Sequence, residues 1–175
     1  LWNMRAVMLP HEEFDVMMRI GKYIMLLCML AFLVHVAGPG QYADVSIKKF
    51  ESRIVPDTSD GEISRSDSNG LRKYYGIQSE DVDGFVLYVP GEHMSVQEML
   101  IVKTASQDEM EQCEEAVQRR LAVQKKSFSG YGTEQMGLLE QAVIEQKGQY
   151  LFFGVGKDAR IWQKHFEQMI EKKHR

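Results

Sequence analysis

Two runs, Gly84-Phe-Val-Leu-Tyr-Val89 and Glu98-Met-Leu-Ile-Val-Lys-Thr104, are apolar at successive positions instead of at every second one. A strand with one face in water alternates, whereas a strand apolar throughout is covered on both faces. The chain is thereby committed to a sheet with other elements packed above and below it. Pro90-Gly91 stops the first run, because proline has no N–H to give to a ladder.

The rest of the pattern supplies the covering elements. Residues 44–55 read as a weak helix with Val45, Phe50, Ile54 and Val55 as contacts, ended by Pro56. Residues 57–70 are polar without periodicity and read as an exposed, disorder-prone loop. A short helix follows over 71–75, with Gly76 suited to the left-handed position after it. A long helix is predicted over 107–128, closed by Gly130, and a shorter one over 133–142. Val143-Ile-Glu145 and Gln149-Tyr-Leu-Phe-Phe-Gly-Val155 flank Gln146-Lys147-Gly148, a hairpin signal. Asp158 can cap a last helix whose Ile161, Trp162, His165, Phe166, Met169 and Ile170 form one stripe, with Lys172 and Lys173 at its negative end. The order α-α-β-β-α-α-β-β-α gives an α+β fold on a mostly antiparallel four-stranded sheet.

Ahead of this domain stands an uncharged run over residues 23–38, preceded by Arg19 and Lys22. Its apolar core matches a signal-peptide h-region and approaches the lower limit for a membrane span, roughly 17 residues. The basic residues on its N-terminal side place everything from Pro39 onward outside the cell. Cleavage near residues 38–43 is disfavoured, because Pro39 follows Val36-Ala37-Gly38 directly and Gln41-Tyr42-Ala43 is a poor site. Cys28 lies in mid-run after Leu26 and Leu27, which is no place for a lipid-accepting cysteine. The reading is a single-pass membrane segment, residues 17–38, with the C-terminal domain outside, or a secreted domain if the run is removed. Met17-Met18-Arg19 resembles a natural start, so residues 1–16 read as a translated upstream extension or a short cytoplasmic tail. Residues 39–43 form a brief linker, and 44–175 form one domain, long enough to bury a single core.

Composition excludes several functions. With 21 Lys and Arg against 25 Asp and Glu, the chain lacks the basic stripe that nucleic acid demands. Only Cys113 falls beyond the run, so no internal disulfide is available there, which fits a bacterial surface protein. Cys113 shares a helix side with Met110, Val117 and Leu121 and reads as a small buried hydrophobe. Gly154-Val-Gly-Lys157 has Ala159 where a dinucleotide fingerprint needs its third glycine, so no cofactor is implied. His93, His165 and His174 have no metal-ligand spacing; His165 reads as a core or boundary residue and His93 as an exposed turn residue. Ser127 and Ser129 lack the setting of an activated nucleophile. Glu109, Glu111, Glu114 and Glu115 crowd a helix start, where the helix dipole accounts for them.

The stretch with most promise runs from Gln124 to Gln135, Q-K-K-S-F-S-G-Y-G-T-E-Q. It sets amides, aromatics and cations around a glycine-rich bend, with Gln124, Lys125, Phe128, Tyr131 and Gln135 as the candidate binding surface. A purely structural role reads equally concretely, with Phe128 and Tyr131 pinning a helix–helix corner and Gly130 supplying a positive φ.

Leu71-Arg-Lys-Tyr-Tyr-Gly-Ile77, Tyr88-Val-Pro90, Glu98-Met-Leu-Ile-Val-Lys103, residues 120–131, Gly148-Gln-Tyr-Leu-Phe-Phe-Gly-Val-Gly156, Asp158-Ala159 and Trp162 together resemble a bacterial family. It is the domain-of-unknown-function family 4358, found mainly in Firmicutes as secreted lipoproteins or anchored surface proteins. The resemblance implies location and fold but no activity, and the missing lipobox departs from the lipoprotein pattern. The leading reading is a non-enzymatic module at the outer face of a Gram-positive membrane that binds an envelope component or protein partner. The alternatives are a small-molecule- or peptide-binding accessory protein of a transporter, and an envelope hydrolase.

Overall fold

The structure, a computed structural model, describes residues 11–37 and 42–171. Residues 1–10, the linker and cleavage positions 38–41, Lys172, Lys173 and His174 lie outside the described residues. The chain forms two units, residues 1–40 and 41–175.

The first unit contains one helix, α1 (His11–Ala37). Its described side chains, residues 18–32, are all exposed. Tyr23, Ile24, Met25, Leu26, Leu27, Met29, Leu30 and Phe32 are among them. Successive helical residues turn by about 100°, so these consecutive positions leave no polar face. Among the described residues no helix is long and apolar enough to cross a membrane.

The second unit runs α2 (Ile47–Arg53), β1 (Ile63–Ser66), α3 (Ser68–Tyr75), a 3-10 turn (Ser79–Asp81), β2 (Gly84–Pro90), β3 (Glu98–Lys103), α4 (Gln107–Phe128), α5 (Thr133–Glu140), β4 (Val143–Lys147), β5 (Tyr150–Val155) and α6 (Ala159–Ile170). Its five strands are ordered β1-β2-β3-β5-β4 and every pair is antiparallel. Central β3 explains the unbroken apolar runs. Leu100 and Val102 join Leu71, Val117 and Leu139 in a core under α3, α4 and α5. Met99 and Ile101 point the other way, to Phe50, Trp162, Phe166 and Ile170 on α2 and α6. All four β3 side chains are fully buried, each worth about 1.5–3 kcal/mol of hydrophobic transfer. The sheet is therefore covered on both faces, as the continuous runs require.

The fold class is α+β as read from the sequence, but the sheet has five strands rather than four. The added strand, β1, lies inside residues 57–70, which read as an exposed loop. Before it, Asp57 and Asp60 accept from the backbone N–H of Ser59 and Glu62 at 2.9 and 3.0 Å. The chain then pairs with β2 from Ile63 opposite Pro90 to Ser66 opposite Leu87. Ile63 is the only apolar residue of the strand, and Arg65 lays its guanidinium over the Tyr88 ring at 5.5 Å. A strand held by ladder bonds and one arginine carries no apolar period to read.

Other boundaries moved for similar local reasons. Helix α3 starts at Ser68, not 71, because the Asp67 carboxylate accepts from the N–H groups of Asn69 and Gly70. Helix α2 starts at Ile47, not 44, because the preceding backbone is engaged elsewhere. Ala43 N–H donates to the Ile170 carbonyl at 2.8 Å, and Val45 N–H donates to the Tyr150 hydroxyl at 2.7 Å. The β4–β5 turn is Gly148-Gln149, with Gly148 at φ 58, as a two-residue hairpin with glycine first requires. Asp158 occupies the N-cap of α6 but makes no capping bond. The seam of α6 is Ala159, Trp162, Phe166 and Ile170; Ile161 and His165, assigned to it from sequence, are exposed.

Candidate functional site

Helix α4 begins under control of Ser106, whose Oγ accepts from Glu109 N–H while Glu109 accepts back from Ala105 N–H. It runs over the β3 face that carries Leu100 and Val102. Glu98, two residues before Leu100 on that face, is fully buried. Arg120, Gln124 and Phe128 recur every fourth residue along α4 and so share one stripe. The strand places a carboxylate below and the helix brings a guanidinium and an amide down onto it.

The geometry is closely specified. Arg120 Nε donates to both Glu98 oxygens at 3.2 and 3.1 Å, and its Nη2 donates to Oε2 at 2.9 Å. From α3, the Tyr75 hydroxyl donates to Glu98 Oε1 at 2.5 Å. Gln124 Nε2 donates to Glu98 Oε2 at 2.8 Å. Tyr74, the preceding α3 residue, holds the other side of the guanidinium, 4.7 Å from ring centroid to Cζ. Burial pushes the Tyr75 phenol well above its ordinary value, and the charge and hydrogen bond of Glu98 push it the same way, against a smaller opposing effect of Arg120.

Above this floor opens a cleft of about 490 Å³. Its walls are Tyr74, the turn between β2 and β3 including Glu92, His93 and Ser95, the α4 side from Arg120 to Phe128, and Tyr131 just beyond it. Phe128 is buried and Tyr131 is 66 % exposed, their rings 5.8 Å apart and tilted by 40°. Gly130, at φ 92, turns the chain between them. One polar atom stands out. With its Nε2 committed to Glu98, the other end of the Gln124 amide, Oε1, is buried with no hydrogen-bond partner.

Three of the five residues singled out from the sequence, Gln124, Phe128 and Tyr131, therefore line one cleft. Lys125 and Gln135 do not. Gln135 faces a separate hollow of about 140 Å³ with Glu62, Gln97, Glu134 and Lys157, where its Nε2 donates to the Met94 carbonyl at 3.2 Å. Phe128 does pin the corner, as its structural reading holds, while Tyr131 extends outward. Sequence reasoning missed Glu98, Arg120, Tyr74 and Tyr75 as parts of the site. The available signal was a carboxylate heading an otherwise apolar strand, with Arg120 and Gln124 spaced to reach one partner.

Other groups offer little chemistry. The Ser127 hydroxyl donates to the Val123 carbonyl at 2.9 Å. Cys113 is buried, and burial first, then Glu109 and Asp81, pushes its thiol up to about 11, far from a reactive thiolate. Strand β5 is antiparallel to both neighbours, so the Gly154–Lys157 turn has no βαβ setting. Among the described residues no group of three His, Cys, Asp or Glu side chains could hold a metal ion.

A five-stranded antiparallel sheet between two helical layers, with a polar cleft over a buried ion pair, defines this as a small α+β domain built around a recess at one helix end. The chain belongs to the family described as Domain of unknown function (DUF4358), whose model matches residues 57–156. The match spans β1 to β5 and contains every residue that lines the cleft. No curated protein and no solved structure matches the chain.

Proposed function

We propose that this protein is a non-catalytic binding module, held to the outer face of a cell membrane by α1, which takes its ligand in the cleft above Glu98. The observation that carries this reading is the cleft of about 490 Å³ itself, with the exposed Tyr131 ring at its mouth and the Arg120–Glu98 pair fixed beneath it. The cleft also falls within the size range of ligand sites, about 300–1,000 Å³.

Turnover is less well supported than binding. Glu98, the carboxylate under the cleft, already accepts from Tyr75, Arg120 and Gln124, which leaves it no free face toward a substrate. The hydroxyl proton of Ser127 is directed to the Val123 carbonyl. An envelope hydrolase needs an acid or base free to exchange a proton.

The anchoring half of the proposal rests on α1. From Tyr23 to Phe32 its side chains leave no polar face and are uncovered, with Arg19 and Lys22 on the N-terminal side. A helix with this surface is stable where apolar surroundings cover it.

Site-specific photocrosslinking in intact cells tests the binding role. A photoreactive phenylalanine analogue replaces Tyr131 in the full-length chain, and the same analogue replaces Ile161, exposed on α6 on the other side of the sheet. Adducts that form at Tyr131 and not at Ile161 are expected. Equal adduct formation at both positions would show that the cleft mouth is no preferred site.

A further inference from the structure

Resting on the reading of α1 as a membrane anchor, we infer that the outer face of α2 and α6 docks on anionic lipid through Lys48, Lys49, Arg53, Arg160 and Lys164. The two helices lie side by side, with the Phe50 and Phe166 rings 5.7 Å apart beneath them. All five cations are exposed, and His165 is exposed beside them. Helices α3, α4 and α5 on the other side of the sheet carry six Lys and Arg against seven Asp and Glu. The acidic balance of the whole chain therefore hides one basic face.

The acidic groups near this face are mostly engaged elsewhere. Helices α2 and α6 contain only Glu51 and Glu167. Arg65 on β1 holds Glu51 at 2.6 Å, and Lys147 on β4 meets Glu167 at 3.3 Å. Asp44, ahead of α2, is paired with Lys103 at 2.7 Å. Asp57 and Asp60, in the loop beyond α2, turn back onto the N–H groups of Ser59 and Glu62. Asp158 and Glu171 stand at the two ends of α6, outside the run of cations. The five cations are left to meet an external anion.

Two features select lipid among polyanions. Val55 and Ile161 are exposed at 60 % and 53 % among these cations. A membrane interface takes up apolar side chains together with Lys and Arg, whereas a nucleic-acid backbone has no use for them. The second feature is the entry of the chain. Ala43 N–H donates to the Ile170 carbonyl at 2.8 Å and Tyr42 bridges Glu171, so the domain begins in this same layer. Residues 38–41 alone separate α1 from Tyr42, a tether of at most about 3.6 Å per residue. An anchored chain thus delivers its basic layer to the bilayer, where juxtamembrane cations meet anionic headgroups. Docked in this way, the domain turns its cleft away from the lipid. Lipid adducts at Ile161 in the crosslinking comparison are recognised by their mass and are counted apart from adducts of the cleft ligand.

Lysine acylation by a neutral reagent, followed by mass spectrometry, tests the docking face. The full-length chain is reconstituted into vesicles of phosphatidylcholine alone and of phosphatidylcholine with phosphatidylglycerol. On the anionic vesicles Lys48, Lys49 and Lys164 should react about fivefold more slowly than on the neutral ones. Lys125 and Lys126 on α4 should react at one rate on both, and about 1 M KCl should remove the difference. Lys49→Glu with Lys164→Glu should return the remaining Lys48 to its rate on neutral vesicles. Equal rates on the two vesicles, or slowing that includes Lys125 and Lys126, overturns the inference. So does duplex DNA that slows the three lysines on neutral vesicles as much as anionic lipid does. Flotation separates these failures from failure of the anchor. A chain that floats with neutral vesicles but shows no slowing on anionic ones keeps the anchor and loses the docking face. A chain that floats with neither loses both, and one that floats only with anionic vesicles, its three lysines slowed, keeps the face and loses the anchor.

Discussion

Arg120 and Glu98 form a bidentate pair in which the carboxylate is wholly buried and the guanidinium side chain is 14 % exposed. The pair joins the first residue of β3 to the fourth turn of α4, and it fixes the floor on which the cleft stands. Its partners Tyr75 and Gln124 would each be left reaching toward the same carboxylate if the arginine were removed.

Arg120→Met should therefore destabilise the protein by about 3–5 kcal/mol, the cost of an uncompensated buried charge. Converting both partners, Arg120→Met with Glu98→Gln, should recover a good part of that loss, because the amide needs no counter-charge. Urea unfolding of the single and double variants checks this. A double variant no more stable than Arg120→Met would mean that the arginine acts mainly through its packing on Tyr74.

Tyr75 gives the domain an alkaline limit. Its hydroxyl is held protonated in the fold above the ordinary value of 10.0. The unfolded chain releases that proton first, so at high pH the unfolded state binds fewer protons than the native one. By linkage the stabilisation is fully present below pH 10 and is lost as pH rises beyond it. The Tyr88 and Tyr150 phenols, both raised chiefly by burial, act in the same direction. Denaturant midpoints measured between pH 8 and pH 11.5 should fall more steeply for the wild type than for Tyr75→Phe. Parallel curves would assign the alkaline loss to the other two tyrosines.

The sequence showed most of the fold and half of the site, for identifiable reasons. Strands β2 and β3 and helix α4 were legible because their apolar residues are continuous or periodic, and α4 ends as expected at Phe128 before Gly130. Strand β1 was not, since one buried isoleucine and one arginine stem make no pattern. Within the site, Gln124, Phe128 and Tyr131 could be found because a glycine-rich bend marks a surface feature. Glu98 was passed over because its partners come from α3 and α4, 23 and 22 residues away, and a carboxylate at the head of an apolar strand does not by itself say which residues meet it.

Two glycines should respond in opposite senses to alanine. At Gly70, in the first turn of α3, a Cβ would lie 1.9 Å from Ser66 Oγ, at the junction of the strand unseen in the sequence and the helix that carries Tyr74 and Tyr75. Gly70→Ala must turn the Ser66 hydroxyl aside and crowd the Ser66 Cβ at 3.0 Å, and should lower the melting temperature. At Gly137, inside α5, nothing stands within 4 Å of the added carbon. Gly137→Ala should stabilise the domain by about 0.4–1 kcal/mol by restricting the unfolded chain. Thermal melts of the two variants against wild type provide the check, and equal shifts in one direction would contradict the packing at Gly70.

The anchoring proposal makes its own demand on α1. Leu27 and Leu30 are exposed on this helix at 69 % and 63 %, three residues apart and hence on one side of it. In a helix embedded in lipid, arginine near the centre costs about 2.5–3.5 kcal/mol per position, and two such positions roughly double the cost. The full-length wild type should stay in the membrane pellet through carbonate extraction. Leu27→Arg with Leu30→Arg should release a large share of the chain to the supernatant, while Tyr131→Ala should leave the distribution unchanged. Retention of the double-arginine variant in the pellet at the wild-type level would mean that α1 is not what holds this protein to the membrane.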